Sequence, residues 1–261
     1  MFTRSIVFAV TCGALTFGCG AQPTGGVDDS VDDSQEIIDN LVQAGFPRAD
    51  IMVVDGVVYT GLDAAVTLAA SREMLESPAG QEQYRTTNLV AQSLTTICVN
   101  GAAFTGRLSQ GLDMAIANYN ALNLTFHMTR TTGGTAGCGA TITARTVAGT
   151  GGSSGFPSGG RPFNTINIGS GNASLNVNTV EHIITHELGH CVGFRHSDFF
   201  NRSISCGGAA TNEGNGGVGA ILIAGTPSGA TVGGSIMNSC FRTIETGEFT
   251  ASDLTALRAL Y

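Results

Sequence analysis

The sequence predicts an α+β protein in two parts: a small helix–hairpin–helix unit near the N-terminus and a larger mixed domain behind it. Three observations predict this. Stretches with helical periodicity and stretches with strand alternation follow one another along the chain instead of segregating. The 261 residues suffice for one ordinary domain plus a smaller unit. Charge also divides the chain, because residues 1–85 hold 12 Asp/Glu against 4 Arg whereas residues 86–261 hold 8 of each. The net charge of −8 therefore belongs to the N-terminal third.

The elements follow in order. Residues 1–18 carry one basic side chain, Arg4, and then an apolar run, the pattern of an export signal and too short for a comfortable membrane span. Gly18-Cys19 resembles a lipoprotein processing box, although Thr16 and Phe17 depart from it. Lipidation of Cys19, with membrane attachment, stands level with ordinary signal cleavage. Either way the protein is expected to be exported, to the medium or to the outer membrane. Residues 19–35 are acidic and small, an expected tether. Residues 36–85 read as a pro-segment: a helix over 36–45, strands over 51–54 and 57–60 around Asp55-Gly56, and a helix over 62–75. Residues 82–88 are its expected processing junction. A spacer between membrane and enzyme is the plainer reading of the same unit.

Residues 86–261 form the main domain. A strand is expected to end near Cys98, followed by a helix over 107–122, strands over 124–129 and 138–147, and a Gly/Ser-rich loop over 148–160. A short strand over 163–168 and a helix starting at Asn178 or Thr179 come next, with Asn178 and Glu181 in capping-box spacing. A glycine-rich stretch and a final helix over 250–261 close the chain.

Composition excludes several functions. Charged residues are only 12%, about half the usual share, and 37 glycines point to a loop-rich exported protein. All 12 basic residues are Arg, so Schiff-base catalysis by lysine is excluded. There is no basic stripe for nucleic acid. Besides Cys12 and Cys19, five cysteines remain: Cys98, Cys138, Cys191, Cys206 and Cys240. In an oxidising compartment these make two disulfides and one leftover thiol, and Cys191 is expected to tether its helix to Cys206 or Cys240. No Cys-x-x-Cys pair is present for a cysteine zinc site.

The chemistry concentrates in His186-Glu-Leu-Gly-His190-Cys-Val-Gly193-Phe-Arg-His196. On a helix, His186 and His190 share a face and can offer imidazoles to one metal, while Glu187 reaches a neighbouring water without binding the ion. Gly193 can end the helix in a left-handed conformation, and His196 then returns as third ligand. Three neutral nitrogens leave a tetrahedral Zn2+ one open corner, the mark of a catalytic site, with Glu187 as general base. Such a five-residue match is expected by chance in fewer than about one chain in ten thousand. Downstream, Ser235-Ile-Met237-Asn places Met237 as the floor of the site.

HELGHCVGFRH together with Met237 resembles the metzincin clan over most of residues 89–261. The export signal, acidic prefix and cysteine-bearing helix are more similar to the bacterial dual-action HEIGH metallopeptidases, the myxobacterial protease B family. Leu188 stands where that name expects Ile, and Ser239 stands where astacins and serralysins carry a tyrosine. The resemblance implies a metzincin-like catalytic domain: a twisted mixed sheet, a zinc helix and a C-terminal helical subdomain. It implies a monomeric zinc endopeptidase acting on protein or peptide substrates, bound along a strand edge over 164–168. A zinc amide hydrolase acting on cell-wall or small substrates, and a surface lipoprotein with a vestigial metal site, are the rival readings.

Other candidates are weaker. His182, one turn before His186, is expected to pack or orient, and His127 to be structural. Asp198, Asn212, Glu213 and Asn215 could ligate Ca2+, with solvated loop residues as the plainer reading. Ser153 and Ser154 lie in no nucleophile elbow, which removes a serine hydrolase.

Overall fold

The computed structural model describes residues 29–75, 84–214 and 220–261. The export signal, Cys19, the start of the processing junction and Asn215 lie outside the described residues. Eight strands form one mixed sheet in the order β1-β2-β3-β7-β8-β6-β4-β5. They are β1 (Met52–Val54), β2 (Val57–Thr60), β3 (Ala64–Val66), β4 (Thr96–Asn100), β5 (His127–Thr131), β6 (Ala140–Val147), β7 (Gly152–Gly155) and β8 (Thr165–Gly169). The helices are α1 (Asp29–Gln43), α2 (Leu68–Leu75), α3 (Gly106–Asn120), α4 (Val177–Cys191), α5 (Ser203–Cys206) and α6 (Ala251–Leu260). Helix and strand share one body, the α+β class expected. Among the described residues no helix is long and apolar enough to cross a membrane.

The N-terminal unit builds nearly all of its own small core. The hairpin β1–β2 turns on Asp55 (φ 50°) and Gly56 (φ 78°), both left-handed, as a two-residue turn requires. Ile37, Ile38 and Leu41 of α1 pack with Val58, Ala70 and Met74, and Phe156 from the main domain completes this cluster. Helix α1 starts at Asp29, so the acidic stretch expected as tether is helical over its last seven residues. The helix expected over 62–75 divides instead. Leu62 (φ 77°) turns the chain, Ala64–Val66 becomes β3, and only Leu68–Leu75 is helical. Ala64 and Ala65 favour a helix intrinsically, yet both are buried between β2 and β7, and tertiary pairing overrides propensity.

In the main domain β4, β5, β6 and β8 run parallel to one another, and β7 runs antiparallel to β8. Alternation along β6 buries Ala140, Ile142 and Ala144. Helices α3 and α4 lie so close at Gly111 that a Cβ there would fall 2.7 Å from Val180 Cγ1. Their shared core includes Leu112, Ile116, Tyr119, Ile184 and Leu188 over Ile142 and Ile166 of the sheet. Two sequence expectations fail here. The Gly/Ser-rich stretch contains strand β7 rather than only loop. Strand β8, expected as a free edge for substrate, is paired on both sides by β6 and β7.

Disulfides join Cys98 to Cys138 and Cys206 to Cys240. Cys191 is therefore the leftover thiol and tethers nothing; it is buried under β8. Burial pushes its pKa far up, so it behaves as a small apolar side chain.

Candidate metal centre

Helix α4 carries the motif. Its cap is Asn176, whose side chain accepts from the Thr179 amide at 2.9 Å, two residues earlier than the expected start at Asn178. The helix stops where expected. Gly193 takes φ 110°, its amide donates to the His190 carbonyl, and the Phe194 amide reaches back to Gly189 O at 3.0 Å. A Cβ at residue 193 would also lie 2.7 Å from Asn88 O, so glycine is required twice over. The chain leaving the helix is clamped by Arg195 N to Tyr84 O and Thr86 N to Gly193 O, which brings His196 back beneath the helix. The same bonds, with Arg85 paired to Ile221, tie residues 84–86 of the expected processing junction into the main domain.

The three imidazoles converge. Nε2 of His186 lies 3.1 Å from that of His190 and 3.3 Å from that of His196. Each ring is pinned through its other nitrogen: His186 Nδ1 by Ile236 O at 2.8 Å, His190 Nδ1 by Phe194 O at 2.7 Å, and His196 Nδ1 by Glu213 Oε1 at 2.7 Å. A carbonyl can only accept, so His186 and His190 donate through Nδ1 and turn bare Nε2 lone pairs toward each other. Such lone pairs repel unless a cation lies among them. A tetrahedral zinc with bonds of about 2.0–2.1 Å separates its ligands by about 3.3 Å, which fits these spacings. Burial and the neighbouring imidazoles push the His190 pKa well down, keeping that ring neutral and available as a ligand. His196 is pushed down by burial but raised overall by the Asp63 and Glu213 carboxylates.

A fourth group joins them that the sequence did not single out. Asp63, at the turn before β3, sets Oδ2 3.2 Å from His196 Nε2 and 3.7 Å from His186 Nε2, with Oδ1 3.7 Å from His190 Nε2. Its Oδ1 is buried without a hydrogen-bond partner. Asp63 and the three histidines are the group of side chains among the described residues whose donor atoms could hold a metal ion together.

Glu187 lies beside the cluster, and its Oε2 accepts from Ser154 Oγ of β7 at 2.7 Å. Strand β7 passes so near that a Cβ on Gly152 would lie 2.4 Å from Glu187 Oε1. Burial first, and the Asp63 charge second, push the Glu187 pKa well above the ordinary carboxylate range. A cavity of about 250 Å³ opens over His186 and Glu187, walled by Leu62, Gly152, Asn238 and Phe241.

Met237 packs under the helix, its sulfur 2.5 Å from where a Cβ on Gly189 would be. Its turn is held by Asp253, which accepts from Ser235 Oγ at 2.6 Å and from the Ile236 amide at 3.0 Å. Asp253 also closes the capping box of α6 with Thr250, so the C-terminal helix positions this turn.

The remaining candidates fall elsewhere. His182 is buried, bound through Nδ1 to Thr246 O at 2.9 Å, and does not join the cluster. His127 is exposed on β5. Asp198 and Glu213, expected as solvated loop residues or calcium ligands, are buried and engaged. Asp198 accepts from Ser205 and Ser239, and Glu213 faces His196, Arg195 and Arg202. Asn212 Oδ1 accepts from the Gly214 amide. Ser154 and Glu213, which touch the base and a cluster histidine, carry no local sequence signal; only the fold brings them in.

No curated protein matches this chain. Among solved structures, one titled "Crystal structure of myroilysin" is 13% identical with a TM-score of 0.38, covering 72% of this chain and 92% of that one. A second myroilysin structure is 15% identical at a TM-score of 0.38, covering 67% and 95%. The family model of the dual-action HEIGH metallopeptidases matches residues 58–261, from within β2 to the C-terminus. A match over that share of the sequence means that the chain belongs to the dual-action HEIGH metallopeptidase family.

Proposed function

We propose that this metallopeptidase is an exported, zinc-dependent endopeptidase of metzincin type, made with an N-terminal pro-segment. The observation that carries the reading is the trio of Nε2 atoms at 3.1 and 3.3 Å, each ring pinned from behind, with a carboxylate beside them in a cleft. His186, His190 and His196 would hold the ion, and Met237 would form the apolar floor below it. When bound, zinc supplies a Lewis acid that polarises a peptide carbonyl and makes a water acidic enough to attack near neutral pH. Glu187 takes the proton of the attacking water and returns it to the leaving amine nitrogen. Ser154 fixes the orientation of that carboxylate through its 2.7 Å hydrogen bond. Glu213 keeps His196 turned with Nε2 toward the ion, the part that Ile236 and Phe194 carbonyls play for the other two rings.

Two disulfides in a chain of this size favour an oxidising compartment outside the cytosol. Within the main domain β7, beside Glu187, is the outermost strand and would receive an extended peptide on the edge that β3 of the N-terminal unit pairs with here; protein or peptide is the substrate class. Calcium has no support at Asp198 or Glu213, whose oxygens are already engaged.

Glu187→Gln tests the reading. It keeps the shape of the side chain and the imidazole cluster, so one zinc per chain should remain while peptide hydrolysis falls about 100- to 10,000-fold. A variant that kept most of its turnover would remove Glu187 from the role of base. Release of peptides from denatured protein, stopped by a zinc chelator, separates an endopeptidase from a small-amide hydrolase.

A further inference from the structure

We propose that residues 62–66 are a built-in plug of the cleft: Asp63 occupies the fourth corner of the metal site, and β3 covers the peptide-docking edge of β7. The proposal rests on the metallopeptidase reading above and adds how the site is kept latent and by which side chain.

Two independent observations converge on it. The first is at the metal corner. A catalytic zinc site keeps one position open for water or substrate. Here the Asp63 carboxylate stands in that position, 3.2 to 3.7 Å from the three Nε2 atoms, with Oδ1 buried and otherwise without a partner. Those spacings are near the ligand–ligand edge of a zinc tetrahedron, about 3.3 Å.

The second observation is at the strand edge. β3 pairs parallel to β7, Ala64 beside Ser154 and Ala65 beside Gly155, and the Ser154 amide donates to Asp63 O at 3.0 Å. An extended substrate would use the same edge. The plug offers nothing to cleave, because its main-chain carbonyl is turned to Ser154 and its side chain presents a carboxylate, which is a poor electrophile. The turn that delivers it is specialised. Gly61 takes φ 65° and Leu62 φ 77°, the latter costly for a branched side chain. The Gly61 amide is held by Asp50 Oδ2 at 3.1 Å, and a Cβ at residue 61 would sit 3.0 Å from Glu213 Oε2.

The rest of the N-terminal unit docks the plug. Phe46 lies 4.5 Å under the Arg195 guanidinium, and Phe156 inserts into the unit's core. Glu73 accepts from Ser158 Oγ at 2.8 Å and Gly159 N at 2.7 Å. Asp63 is thus the tip of a unit seated on the cleft, and in the parent chain freeing the metal corner and the β7 edge together requires moving or cutting away that unit.

The test uses the full chain loaded with Co2+ and probed with acetohydroxamate, a small bidentate metal ligand that needs no strand edge. Asp63→Ala opens the corner, so the apparent inhibition or dissociation constant should fall about tenfold or more, the competent fraction having risen. The visible absorption bands of the bound cobalt should change at the same time. Asp63→Asn, nearly isosteric, serves if Asp63→Ala misfolds, and thermal melting identifies that case. Equal hydroxamate binding and identical cobalt spectra in the parent chain and the folded variants would overturn the plug. A parent chain that takes up no Co2+ at the three imidazoles would defeat the zinc-peptidase reading, whereas bound Co2+ whose hydroxamate affinity ignores residue 63 overturns the plug alone.

Discussion

Gly152→Ala adds one methyl group and aims it at the base. The new Cβ would lie 2.4 Å from Glu187 Oε1, 2.7 Å from its Cγ and 2.8 Å from its Cδ. Ordinary carbon contacts begin near 3.5 Å, so Glu187 must give way by about 1 Å. The backbone itself permits alanine, because Gly152 is absent from the glycines with positive φ. The fold can accommodate the change by swinging a carboxylate, at an overpacking cost of about 1–3 kcal/mol. The Ser154 hydrogen bond goes with it, at about 1 kcal/mol. Catalysis is less tolerant, since a 1 Å misplacement of a reacting group costs about 100-fold in rate. Parent and variant, activated in the same way, would be compared by kcat/KM on a quenched-fluorescence peptide, by zinc content and by thermal melting. The expectation is a loss near 100-fold with zinc retained and only a modest drop in Tm. Full activity with zinc bound would refute the placement of Glu187 against β7 as a determinant of turnover.

Three other substitutions probe the supports. Glu213→Gln weakens the grip on His196 Nδ1 and should lower zinc affinity about 10- to 100-fold in competition with a chromophoric chelator. Asp253→Ala removes four bonds at once, two to the Met237 turn and two to Thr250 at the α6 cap, and should cost about 2 kcal/mol or more in denaturant unfolding. Replacing Cys206 and Cys240 by serine opens a loop of 34 residues, and the chain-entropy relation gives a loss of about 3–4 kcal/mol. An unchanged melting temperature in the serine pair would show that this bridge does not constrain the unfolded chain.

The metal trio was legible in the sequence because its signals are local. Two histidines four apart need only a helix, and Gly193 needs only a left-handed exit, so spacing alone predicts their convergence. The Asp55-Gly56 hairpin was legible for the same reason. Asp63 was not, because it reaches His196 across 133 positions and follows a turn that no residue pattern marks. Ala64 and Ala65 pointed toward a helix, and only the partner strands on both sides make them β3. Strand β7 was hidden too. Its glycines and serines lack strand propensity, yet small residues are what the close pass by Glu187 and Ala65 demands. Cys191 stays unpaired because its position on the helix faces the sheet rather than the loop that carries Cys206 and Cys240, which helical spacing alone does not reveal.

The central claim is that three imidazole nitrogens, pinned from behind, bind one zinc ion next to Glu187. Anomalous diffraction from crystals of the zinc-loaded chain, recorded on both sides of the zinc absorption edge, tests it most directly. The account predicts a single peak bonded to Nε2 of His186, His190 and His196. Absence of a peak there, or a peak on other ligands, would contradict it.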